Sequence, residues 1–157
     1  MNAQKFTQKS LTAIQSAQEL ALARGSMQIE ELHLLSALLE EQNGLIFQML
    51  TRMGVDTEYF TQALEQELDR VPAVSGAGRE PGKIYVSQNV DQVLVKAEQL
   101  ADSMKDEYVS VEHLFLALLE RPDATLKRMF RDYGIDKEKF LAALAAVRGN
   151  QKVTSDT

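Results

Sequence analysis

The chain repeats itself. Shifted by 80 residues, Gln8–Leu68 lies over Gln88–Arg148 without a gap, and about 17 of roughly 61 positions are identical. His33 falls on His113, and Ala37-Leu38-Leu39-Glu40 falls on Ala117-Leu118-Leu119-Glu120. Upstream, Ala17, Leu20 and Ala21 meet Ala97, Leu100 and Ala101. Downstream, Gly54, Asp56, Glu58, Phe60, Ala63 and Leu64 meet Gly134, Asp136, Glu138, Phe140, Ala143 and Leu144. One register held through helices and turns alike is duplication, so the two halves must share one fold.

Each half reads as four helices. The first starts after Thr7 in one copy and after Ser87 in the other. In the second copy Val90, Val93, Leu94, Ala97, Leu100, Ala101 and Met104 recur at steps of three and four, drawing a single apolar stripe. Phe6, Ala13, Ile14, Ala17, Leu20 and Ala21 keep that stripe in the first copy. The second helix, 31–40 and 111–120, is apolar on several sides and is expected at the buried centre of its unit. Ser110 stands where an N-cap belongs, and Pro122 stops the helix. The third helix covers about 45–53 and 125–133. Gly54 and Gly134 follow it where a left-handed residue is wanted. Asp56 and Asp136 then cap the fourth helix, with Glu58 and Glu138 in its first turn, where the helix dipole favours negative charge. The expected architecture is all-α: two tandem pseudo-repeats of a four-helix unit, about eight helices, in one domain over 1–148. Repeat one is about 6–70, a Gly/Pro-rich connector 71–86, and repeat two about 87–148. The connector, with SGAGREPGK, is expected to be mobile at 75–82. Residues 149–157 are polar and without periodicity, and read as disordered or as the start of a linker to something beyond.

Composition narrows the function classes. The chain has 157 residues, 45% apolar and 25% charged, as soluble globular proteins do. Cysteine is absent, which removes disulfides, thiolate metal sites and thiol nucleophiles, and fits a reducing compartment. A net charge of −6 argues against nucleic-acid binding. The best basic cluster, Lys127, Arg128 and Arg131, is interrupted by Asp132 and reads as a solvated helix face. No apolar run reaches the roughly 18 residues of a membrane span, and MNAQKFTQKS lacks an apolar signal core, so a cytoplasmic location is expected.

Chemistry finds little purchase. GAGREPGK superficially suggests a phosphate loop, but Ala77 and Ile84 stand where a Walker motif needs Gly and Ser or Thr. The dinucleotide fingerprint fails as well, since its third Gly falls on Pro81. His33 and His113, the only histidines, fall short of a usual ligand set and are expected to pack at their helix starts. Neither a nucleophile elbow nor a specific carboxylate pair is present. This fragment is therefore expected to be a binding domain with no catalytic residue, metal or cofactor. Thr7 and Ser87 are equivalent caps at the mouths of the two first helices, whose hydroxyls and nearby amides could also serve a ligand's backbone. Leu11 and Leu22 lie off the main stripe on one common face, opposite Asp91 and Asp102 in the repeat. They are read either as contact with the other unit or as exposed surface for a partner.

At this point the residues resemble a known family. Paired units carrying AQELA on the first helix and EHLFLALLE on the second are similar to the Clp N-terminal repeat over 6–147. The opening MNAQKFTQKSLTAIQSAQ and the closing VRGNQKVTSDT resemble its ClpB-type disaggregase branch. The resemblance implies a domain that captures exposed apolar segments of unfolded or aggregated polypeptides. It would pass them to an AAA+ ring, a homohexamer driven by ATP and magnesium and working with an Hsp70-type chaperone. Adaptor docking in a ClpA- or ClpC-like protease unfoldase is the alternative. The resemblance also implies substrate-binding roles for Thr7, Ser87, Asp106 and Glu112, with Leu11 added on the apolar side. Glu31-Leu32-His33 in the first unit departs from Glu112-His113 in the second, so the role of Glu112 is not carried back to Glu31. The expected site is a shallow apolar groove between the units, near the first helices. Polar residues would rim it, and charge reversal at Asp106 and Glu112 would weaken binding without unfolding the domain.

Overall fold

The computed structural model describes residues 1–40, 44–73 and 85–157. Among the described residues, a short 3-10 turn, Ala3–Lys5, precedes eight helices: α1 (Gln8–Ala23), α2 (Glu31–Leu38), α3 (Leu45–Arg52), α4 (Thr57–Asp69), α5 (Gln88–Ser103), α6 (Val111–Glu120), α7 (Ala124–Asp132) and α8 (Lys137–Arg148). The four-helix repeat expected from the duplication is therefore present in both halves. The part of the connector expected to be mobile, 75–82, lies outside the described residues.

The local rules read from sequence are visible at the helix ends. Thr7 and Ser87 cap α1 and α5, accepting the N–H of Ser10 at 3.2 Å and of Val90 at 3.1 Å. Asp56 and Asp136 cap α4 and α8 in the same way. Gly54 and Gly134 take φ of +81° and +67°, so the chain can turn back and Val55 and Ile135 can donate to the carbonyls of Leu50 and Phe130. Lys105 occupies the corresponding left-handed position after α5, where the first unit has Gly25. Two ends differ from expectation. Helix α2 stops at Leu38 rather than at 40, because Leu39 and Glu40 donate three residues back and tighten the last turn. Phe6 is not on α1 but on an extended stretch before it.

That stretch joins the halves. Phe6 forms a parallel bridge with Val109, and Val86 forms the pseudo-equivalent bridge with Ile29. Thr7 N–H donates to the Val109 carbonyl at 2.9 Å, and Val109 N–H to that of Lys5 at 2.8 Å. Eighty residues away, Ser87 donates to Ile29 at 3.0 Å and Ile29 to Tyr85 at 2.8 Å. The residue before the first helix of each unit thus pairs with the residue before the second helix of the other. The units interlock, and α2 and α6, α3 and α8, and α1 and α6 pack across the boundary. One hydrophobic cluster runs through both halves, with α6 at its centre and residues 112–118 all buried. Phe115 stacks between Phe130 and Phe140 inside it, with ring centroids 5.9 and 4.9 Å away.

Two buried histidines start α2 and α6. The Nδ1 of His33 accepts the backbone N–H of Glu30, and that of His113 accepts the N–H of Ser110, both at 2.9 Å. Each imidazole does the work usually given to Glu or Gln in a capping box. Burial, with the charge of Arg24 behind it, lowers the His33 pKa to about 4. Beside it, Glu31 is 1% exposed and accepts the N–H of Asp123 from the other unit at 3.1 Å. Burial, then the nearby charge of Asp123, pushes the Glu31 pKa up to about 8.

These features give two tests. Val109→Pro removes the N–H that the Lys5 carbonyl accepts, and should cost about 3 kcal/mol in one cooperative transition. Two separate transitions in calorimetry would mean that the halves are independent. The pH test turns on Glu31 and His33. A carboxyl whose folded pKa is raised stabilises fully below its unfolded value of 4.5, and that contribution fades as pH rises towards 8. A histidine whose folded pKa is lowered does the reverse, losing its contribution as pH falls from 6.5 towards 4. Glu31→Gln can still accept from Asp123, so its stability advantage over the parent should grow by about 2–3 kcal/mol from pH 5 to pH 8. Urea unfolding at the two pH values measures it.

Candidate functional site

The interlock places helix mouths from different units side by side. The start of α1 comes to lie next to the start of α6, and at the pseudo-equivalent place the start of α5 lies next to the start of α2. A groove opens at each. The larger, about 590 Å³, runs along Lys9, Thr12, Ala13 and Ser16 of α1. Its other walls are the end of α2 at Ala37 and Leu38, the start of α3 at Leu45 and Ile46, and Ser110, Val111 and Glu112 at the mouth of α6. Polar and apolar side chains both line it, so it is amphipathic.

The second groove, about 450 Å³, is its counterpart across the pseudo-twofold. Asn89, Gln92 and Lys96 of α5 stand there for Lys9, Thr12 and Ser16, and Glu31 stands for Val111. Lys96 lies 3.6 Å from Glu120, which Lys137 also reaches. The duplication therefore yields two grooves of unlike chemistry. One has an apolar side chain at its helix mouth and the other a buried carboxyl.

A buried charge network sits behind the larger groove. His113 has its Nδ1 committed to the N–H of Ser110, so Nε2 carries the proton and donates to Asp106 Oδ2 at 2.7 Å. Arg148 pairs with the same Asp106 oxygen at 2.8 Å and stands 3.8 Å from Glu112. The Ser110 hydroxyl donates to Glu112. Burial alone would raise the pKa of Asp106, but the N–H of Val153, His113 and Arg148 together hold it below the usual carboxylate range. Burial likewise lowers the pKa of His113, against the pull of the Asp106 and Glu112 charges. In the first unit the matching positions are Ser26, Leu32 and Leu68, so the three charges Asp106, Glu112 and Arg148 differ from the repeat together.

The residues singled out in sequence are not gathered in one place. Thr7 and Glu112 both line the larger groove, and Thr7 is largely buried by its capping role. Ser87 caps the opposite mouth and lines neither groove. Leu11 is half-buried against the core and lines neither, whereas Leu22 is exposed. Asp106 was expected on an accessible rim, but its side chain has no exposed surface, and both of its oxygens are engaged. Reversing its charge would bury a lysine beside Arg148 and destabilise the fold, so that substitution cannot isolate binding. Arg148 and Val111 were not singled out in sequence, and Glu31 was set aside. The signal for them was present in the repeat, as the places where its two copies carry unlike charge.

The segment 149–157 lies outside every helix. It folds back along the domain, with Val153 N–H donating to Asp106 Oδ1 at 2.9 Å and Glu107 N–H donating to the Val153 carbonyl at 2.8 Å. Its lack of periodicity reflects an extended course held by hydrogen bonds.

Known proteins share this geometry. The model of the Clp repeat (R) N-terminal domain matches residues 5–133. The chain is 47% identical over 156 residues to the chaperone protein ClpB of Nitratidesulfovibrio vulgaris, covering 99% of this chain and 18% of that one. It is 41% identical over 155 residues to ClpB of Bacillus cereus, with the same coverage. The chain thus spans 18% of the length of these curated relatives. Among solved structures, the Hsp104 N-terminal domain of Candida albicans superposes with a TM-score of 0.82 at 27% identity, over 98% of this chain and 97% of that one. A ClpV N-domain in complex with a VipB peptide has the same fold, with a TM-score of 0.70 at 18% identity over 96% and 91% of the two chains. With the match covering most of the chain and reaching into both halves of the duplication, the chain belongs to the Clp repeat N-terminal domain family.

Proposed function

We propose that this chain is the substrate-capturing domain of a ClpB-type disaggregase. It holds apolar-rich, extended segments of unfolded or aggregated polypeptides in the groove between α1, α2, α3 and the mouth of α6. The observation that carries this reading is the contrast between the twin grooves. The smaller one is closed to apolar chain by the Lys96–Glu120 ion pair beside the carboxyl of Glu31, while the larger offers Val111, Ala13 and Leu45 beside hydroxyls that can meet a backbone. Its volume, about 590 Å³, falls in the range of about 300–1,000 Å³ usual for ligand pockets. The ClpB relatives are named chaperones, and the ClpV N-domain of the same fold takes a VipB peptide, which supports a peptide-binding use of this architecture.

In this reading Thr7 and Glu112 border the bound segment, whereas Asp106 and Ser87 act by holding the groove's framework. Apolar contact supplies modest affinity and little sequence preference, and the polar rim orients the backbone. Modest affinity suits a domain that must let go. Delivery to an AAA+ ring, with ATP and magnesium, as a homohexamer alongside an Hsp70-type chaperone in the cytoplasm, belongs to the same proposal.

Val111→Glu tests it by giving the larger groove the side chain of its twin. An acid at the first helical position is favourable for α6, so the fold should persist, with an unchanged circular dichroism melt within a few degrees. Binding of fluorescein-labelled, reduced and carboxymethylated lactalbumin should weaken about tenfold, a loss of about 1.4 kcal/mol. Undiminished anisotropy with an intact fold would move the site elsewhere.

A further inference from the structure

One wall of the larger groove is a peptide, and it is the chain's own. Of the segment after α8, Val153, Ser155 and Thr157 line the groove. These are alternate residues, the period of an extended strand laid along a surface. Neighbouring residues tie the segment to the domain: Asp156 offers its carbonyl to the N–H of Gln8 at 2.7 Å, and Lys152 donates to the carbonyl of Met104 at 3.0 Å. Val153 is held on both sides of its peptide unit, by Asp106 and by Glu107. The Gln8 N–H is one of the four that a helix cannot satisfy internally, so a passing carbonyl finds it available.

We infer that this segment is an internal competitor for the substrate groove, and that the buried carboxylate of Asp106 is the latch that seats it. The inference rests on the proposed function and specifies how that site is regulated. With the segment docked, its backbone occupies hydrogen-bond donors that an incoming extended polypeptide would use. With the segment released, those donors are freed and the groove beside Val111 loses a wall and widens. The linkage is reciprocal: whatever binds the groove favours release of the segment, and whatever draws the segment away tightens binding. Asp106 is therefore a positioning residue. Its oxygens never meet substrate; they hold Val153, and Arg148 and His113 hold them.

Val153→Pro removes the N–H that Asp106 accepts and lies outside every helix, so the domain should still fold. Two readouts are needed on the 157-residue chain. Amide exchange at Gln8 and Glu107 should be slow in the parent and faster by about tenfold or more in the variant, reporting release. Affinity for labelled carboxymethylated lactalbumin should rise about 3–10-fold, because apparent affinity is reduced by the fraction of domains whose site is free. Lys152→Ala, which deletes only the contact to Met104, should shift both readouts in the same direction by less. Rapid exchange at both amides in the parent would show that the segment is undocked in solution and overturn the inference. Faster exchange in the variant with unchanged affinity would overturn it as well, while leaving the proposed function standing. If neither chain binds the polypeptide, the proposed function falls and takes the inference with it.

Discussion

Two reciprocal backbone bridges organise this domain. A duplicated four-helix unit has one apolar face per helix to bury, and two units could do so as separate lobes meeting at a flat interface. Here each lends its entry strand to the other: Phe6 to Val109, and Val86 to Ile29. Because a bridge immediately precedes α1, α2, α5 and α6, it fixes where those helices begin as well as which unit they touch. Each bridge sets two helix mouths from different units side by side, and the space between such mouths becomes a groove. The proposed binding surface thus follows from the way the copies are tied together.

A symmetric tie would produce two identical grooves, yet the copies have diverged where it matters. At one mouth stands Val111 and at the other Glu31. Behind the first lies the Asp106, Glu112 and Arg148 network; the matching places in the other unit are Ser26, Leu32 and Leu68. A buried ion cluster of this sort is rarely a source of net stability, because desolvation offsets most of the attraction. Its value here is directional. It gives the second unit a fixed carboxylate oxygen pointing at the chain that leaves α8, which the first unit has no means of doing.

Much of the architecture was legible from the residues because it obeys local rules. A duplication, an apolar stripe, Asp56 and Asp136 as caps, and Gly54 and Gly134 in left-handed turns are each decided within a few positions of chain. The interlock was not legible, since the partners of Phe6 and Val86 are separated from them by long stretches of sequence and a single bridged residue leaves no pattern. The burial of Asp106 was not legible for the same reason. Its burial depends on Arg148 and Val153, both more than forty positions away. Thr7 and Ser87 were read as equivalent, and as caps they are. Their surroundings differ because their neighbours across the interlock differ, and only one of them borders the amphipathic groove. Comparing the two copies position by position for charge, as well as for identity, would have exposed that asymmetry.

The course of residues 149–157 bears on why such a groove can work with loose specificity. An extended segment of ordinary polar composition is held there chiefly through its backbone, by Gln8, Glu107 and the Asp106 carboxylate. Each hydrogen bond contributes about 1 kcal/mol net, and fixing each residue's backbone costs about 1–2 kcal/mol, so occupancy by such a segment stays close to balance. A chain with more apolar side chains adds burial against Val111, Ala13 and Leu45 to the same backbone bonds, and that increment separates unfolded hydrophobic polypeptide from polar chain. In the function proposed for it, the groove discriminates by side-chain burial while gripping through main chain, which is the combination needed to recognise unfolded proteins of many sequences and still release them.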